Sequence, residues 1–139
     1  MKKLFSLGLV AMLALTAVVS SCGKYEEGSK FTLLSAKARM VNSWGLVKYE
    51  VNNAAQDMSG STLTWNLEKD GKATATWSSG GFSFSDIGTW ELNSDKTDLI
   101  LKDSSGDVET YEIVQLKNKD LKIRQVSTNY TDVWTFEGN

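Results

Sequence analysis

Residues 62–78 read TLTWNLEKDGKATATWS, and this stretch decides the fold class. Leu63, Trp65 and Leu67 fall on one face and Thr64 and Asn66 on the other, the period of two that marks a strand with one dry side. Ala73, Ala75 and Trp77 repeat the pattern after Lys69-Asp70-Gly71. Asp favours turns and Gly tolerates positive φ, so those three residues predict a tight hairpin.

The same alternation extends in both directions. Upstream, Trp44 to Val51 reads as a first strand, joined to the hairpin by a polar connection over 52–61. Downstream, Gly80-Gly81 turns the chain into a strand with Phe82 and Phe84, then Trp90 and Leu92, on one face. Gly88 between them predicts a bend or bulge. Further strands carry Leu99 and Leu101, Tyr111 and Ile113 (within 108–116), Leu121 and Ile123 (within 121–126), and Trp134 and Phe136 (within 131–137). Asn93–Thr97, Ser104–Asp107 and Asn118–Asp120 read as turns. Upstream of all of these, Phe31, Leu34, Ala38 and Val41 recur at helical spacing and predict one short helix within 31–42.

About eight strands with no long helix between them exclude parallel crossovers. An all-β antiparallel meander is the simplest topology, and eight such strands close into an up-and-down barrel without free edges. A Greek-key sandwich competes, but it needs a long crossing loop, and only 52–61 has the length.

Composition narrows the chemistry. The 139 residues hold no His, no Pro and one Cys, with 17 acidic and 15 basic side chains. That excludes zinc-finger patterns, Cys–His and Ser–His–Asp catalysis, and a disulfide within the chain. The net charge of −2 argues against a nucleic-acid partner. Five Trp among 10% aromatics argue against disorder.

The start of the chain is an address. Lys2 and Lys3 precede an apolar run from Leu4 to Val19, too short to span a membrane but laid out as a secretory signal peptide. Val19-Ser20-Ser21 then leads into Cys22, which resembles the lipobox of bacterial lipoproteins. There the Cys becomes the mature N-terminus and carries a diacylglyceryl group and an N-acyl chain. The expected organisation is a signal peptide over 1–21, a lipidated tether over 22–30 and a barrel domain over 31–139. Lys24-Tyr25-Glu26-Glu27 resembles the acidic export signals that follow the lipidated Cys in Bacteroidota lipoproteins; a plain solvated linker explains it equally well.

A second resemblance covers most of the mature chain. Gly88-Thr89-Trp90-Glu91-Leu92, followed by Leu99-Ile100-Leu101, resembles a signature of small lipocalin-like lipoproteins of Bacteroidota. Tyr111–Leu116, Leu121-Lys122-Ile123 and Trp44–Tyr49 match neighbouring strands of that family. The resemblance implies a lipocalin-like β-barrel on the outer membrane, facing either the periplasm or the surface. True lipocalins carry Gly-x-Trp in the first strand, with the Trp packed on a late-strand Arg. Here Asn42 replaces the Gly before Trp44, and Arg124 is the expected partner.

For function, the dry face offers Trp65, Trp77, Trp90, Trp134, Phe84 and Tyr111 as ligand-binding candidates. In a barrel that face is the interior, where large rings compete with any ligand for space. A packed core and a small apolar cavity both fit. The expected partners are a membrane, through Cys22, and a small hydrophobic molecule, with the protein a monomer and no cofactor. Alternatively, a filled barrel binds a protein or glycan through an outer patch near Trp44, Tyr49 and Tyr130. No catalytic or metal site is expected. Without His, a general base falls to a carboxylate or Lys, and Asp86, Asp103, Asp107, Glu109 and Glu112 read as solvated surface acids. Asp103–Asp107 lacks the spacing of a calcium loop.

Overall fold

The computed structural model describes residues 34–139. The signal segment, Cys22, the tether and Phe31 lie outside the described residues.

The helical stripe is realised as α1 (Ala36–Met40), a five-residue helix. Ser35 caps it by accepting a hydrogen bond from the Ala38 N–H at 3.1 Å. It ends where Asn42, expected within the helix, instead opens a strand.

Eight strands of five to eleven residues follow, with one two-residue strand inserted. They are β1 (Asn42–Val51), β3 (Ser61–Leu67), β4 (Lys72–Ser79), β5 (Phe82–Leu92), β6 (Asp98–Lys102), β7 (Val108–Leu116), β8 (Asp120–Val126) and β9 (Thr131–Gly138). The inserted β2 (Ala54–Ala55) folds back on the end of β1, so the connection over 52–61 is itself partly a hairpin. It does not cross the sheet, and the sandwich is excluded.

Every neighbouring pair is antiparallel. The β1–β9 pairing closes the sheet into a barrel. The 62–78 hairpin has the expected register, with Leu63 opposite Trp77 and Leu67 opposite Ala73. Gly71 sits at φ 93°, a conformation costly for any residue with a Cβ.

Two β-bulges interrupt the alternation. The register shifts between Leu46 and Lys48 in β1, and between Ile113 and Gln115 in β7. Each inserts one residue, so Leu46 and Tyr49, and likewise Ile113 and Leu116, face the same side despite their odd spacing.

The barrel has two unlike ends. At the base, where the chain enters through α1, Met40, Trp44, Leu67, Leu99, Leu116, Leu121, Ile123 and Phe136 are fully buried. The Trp44 indole N–H donates to the Met40 carbonyl at 2.9 Å, and the Arg39 guanidinium donates to the Leu116 carbonyl. These contacts plug the base with α1. Arg124 is not the partner of Trp44. It lies on the outer face, opposite Glu112 in register, and forks onto that carboxylate at 2.8 and 2.9 Å.

The opposite end is ringed by the turns around Asn52–Gly60, Gly80-Gly81, Asp103–Asp107 and Ser127–Tyr130. Here inner-face rings meet solvent.

Candidate functional site: the open end of the barrel

Side chains opposite each other in an antiparallel ladder share a face. Register therefore assigns the inner wall directly. Leu63, Trp77 and Phe84 form one row across β3, β4 and β5, and Trp65, Ala75 and Asp86 form the next row toward the base. Trp65 is buried, whereas Trp77 is 44% exposed and Phe84 66% exposed. All three belong to the same face. What separates them is position along the barrel axis: Trp77 and Phe84 lie one row nearer the open end, where Leu63 alone of their row still packs against the core.

Below that rim the rings touch in a continuous chain. Tyr49 stacks on Trp134 with centroids 5.5 Å apart, and Trp134 meets Tyr111 edge-on at 5.3 Å. Tyr111 lies 5.6 Å from Trp65, which packs on Phe136 at 4.7 Å. Offset and T-shaped pairs of this kind add about 0.5–1.5 kcal/mol each beyond the area they bury. The lower interior is thus a packed core. Toward the open end the packing loosens, and Trp134 and Tyr49 are only half-buried.

The six expected binding residues do not converge on one place. Trp65, Tyr111 and Trp134 belong to the stacked cluster. Trp77 and Phe84 belong to the exposed rim rather than the enclosed interior expected for the dry face. Trp90 belongs to the base, where its indole N–H donates to the Glu68 carbonyl at 2.8 Å. The outer patch expected near Trp44 is also corrected, since Trp44 is fully buried.

Polar groups sit among the rings. The Tyr49 hydroxyl donates to Asp132 Oδ1 at 2.8 Å, and the Tyr111 hydroxyl donates to Glu109. Burial first, and then these carboxylates, push both phenols above their ordinary range; the charge on Asp132 contributes to both. Asp132 is the one buried acidic residue among those described, at 7% exposure. Sequence reading missed it as a site residue, although its place on the dry face of the strand bearing Trp134 and Phe136 was a legible signal. Asp86 and Glu109, read as ordinary surface acids, also lie on the inner face, opposite Ala75 and Leu101. Asp103 instead organises its own turn, accepting from the Ser105 and Asp107 N–H groups, and its carboxyl is held below the usual range by its bonds to Ser105. Among the described residues no cluster of three or more His, Cys, Asp or Glu could hold a metal ion.

A family profile described as a lipocalin-like domain matches residues 40–123. The chain belongs to the lipocalin-like domain family. The match runs from the end of α1 into β8, and β9 completes the lipocalin-like barrel beyond it by pairing with β1. No curated protein matches the chain. A lipocalin-like barrel with one plugged and one open end has the architecture of a binding module.

Proposed function

We propose that the protein is a lipid-anchored, outer-membrane, lipocalin-like lipoprotein that binds a small hydrophobic molecule at the open end of its barrel, without catalysis. One observation carries the binding part: Trp77 and Phe84 are solvent-exposed on the inner face, one row nearer the open end than the buried Trp65. Exposed rings stay wet unless something covers them, and apolar surface gains about 25 cal/mol per Å² on burial.

The anchoring part rests on sequence. The only Cys follows a signal-peptide layout at the lipobox position. One acyl chain binds a membrane marginally, and further chains on the same Cys make the attachment stable. The likeness to Bacteroidota lipoproteins supports the outer membrane as the address. The described chain enters at the plugged base through α1, so a base-proximal anchor leaves the mouth unobstructed.

Mass spectrometry of protein taken from its native membrane tests both parts. The mature N-terminal peptide is expected to carry a lipid on Cys22, absent in Cys22→Ser, and an apolar molecule is expected to co-purify. The purified barrel is expected to shift its tryptophan emission with an apolar probe. Trp77→Ala with Phe84→Ala is expected to weaken that shift while leaving the unfolding transition nearly in place, because both rings are exposed. A mature chain with free Cys22 sinks the anchor, and an unresponsive barrel sinks the pocket.

A further inference from the structure

We propose that the mouth selects a cationic amphiphile, an organic ammonium on an apolar body, with the ammonium held at Asp132 and Glu109 and the body covering Trp77 and Phe84. This rests on the reading of the open end as the ligand site and names the class of molecule that enters it.

The first argument is charge without a counter-charge. Asp132 is buried, its Oδ1 accepts from the neutral Tyr49 hydroxyl, and Oδ2 has no hydrogen-bond partner among the described residues. Glu109 likewise accepts from a neutral hydroxyl, that of Tyr111. No described ion pair includes Asp132, Glu109 or Asp86. Asp132 Oδ2 reaches solvent and Glu109 is exposed, so both carboxylates are open to an incoming cation, which would supply the counter-charge they lack.

The second argument is the distribution of basic residues. Within the strands, Lys48, Lys72, Lys102, Lys122 and Arg124 all lie on the outer face by register. The turns that ring the mouth (52–60, 80–81, 103–107 and 127–130) contain Asp57, Asp103 and Asp107 but no Lys or Arg. A concave opening lined by one sign of charge focuses the field and concentrates the opposite ion.

The third argument is the ring pair. Tyr49 and Trp134 are half-buried and stacked beside Asp132. Electron-rich ring faces next to carboxylates attract alkylammonium groups through cation–π contacts, while the rim rings take the apolar part. An anionic amphiphile of the same length meets the same rings but is repelled by the acids.

The test compares three probes of one chain length, decyltrimethylammonium and decyl sulfate below their micelle concentrations and decanol below its solubility limit. They are titrated into the full mature chain and followed by tryptophan fluorescence. The cation is expected to bind at least tenfold more tightly than the alcohol, which is about 1.4 kcal/mol, and the sulfate most weakly. Glu109→Gln, at an exposed position, and Asp132→Asn are each expected to narrow the gap between cation and alcohol without weakening the alcohol. Where Asp132→Asn fails to fold, Glu109→Gln decides alone. Equal binding of the three probes, preference for the sulfate, or an unchanged gap in the variants overturns the charge selection and leaves the apolar pocket standing. If none of the three binds, the pocket itself falls.

Discussion

Gly88→Ala should destabilise the barrel although it replaces a glycine inside a strand. At an ordinary strand position, Gly→Ala removes unfolded-state freedom and stabilises by about 0.4–1 kcal/mol. At Gly88 the added Cβ would overlap the Lys102 carbonyl oxygen and lie 2.9 Å from its carbonyl carbon and 3.0 Å from Asp103 Cα. The obstacle is backbone, so β6 has to move away from β5 where their ladder begins at Thr89 and Lys102. Overpacking of this kind costs about 1–3 kcal/mol, and a rigid obstacle places Gly88 at the upper end. Subtracting the entropic gain leaves about 2 kcal/mol of net destabilisation. With a urea m-value of about 2 kcal/mol/M, the midpoint moves down by about 1 M. Gly45→Ala is the matched control, because its Cβ meets only the Glu137 carbonyl oxygen at an ordinary 3.8 Å. Urea unfolding followed by tryptophan fluorescence reads both variants. If Gly88→Ala unfolds at the same urea concentration as Gly45→Ala, or higher, the close approach of β5 and β6 is wrong.

Three further outcomes follow from the base, the mouth and the outer wall. Trp44→Phe removes the donor to the Met40 carbonyl and leaves a gap under α1, so it should cost about 3 kcal/mol and lower Tm by about 10–15 °C in a thermal scan. Tyr111 and Tyr49 should titrate above the ordinary phenol value near 10 when phenolate absorbance is followed. Because their folded values are raised, the stability they contribute is complete below pH 10 and is lost as pH climbs through the folded values. Tyr111→Phe should therefore flatten the alkaline fall in urea midpoint. Arg124→Ala should cost no more than about 1 kcal/mol, since its pair with Glu112 is partly solvated, and should leave the environment of Trp44 unchanged by near-UV circular dichroism.

The sequence alone determined the strands, most of the turns and the closed antiparallel topology. Period-two patterning and turn chemistry are local, and Leu63, Trp65 and Leu67 against Ala73, Ala75 and Trp77 carry both within one hairpin. The bulges at Leu46–Lys48 and Ile113–Gln115 were not legible, because one inserted residue looks like ordinary imperfection in an alternating pattern. Only the tertiary structure decided which rings are core and which are rim. Trp65 and Trp77 are the same residue type on the same inner face, yet one is buried and the other open to solvent. Alternation specifies the face a side chain takes, while its height along the barrel depends on how far neighbouring strands extend beside it. Asp132 shows the same division. Its sequence neighbours place it on the inner wall, but its burial beside Tyr49 exists only once β9 closes against β1.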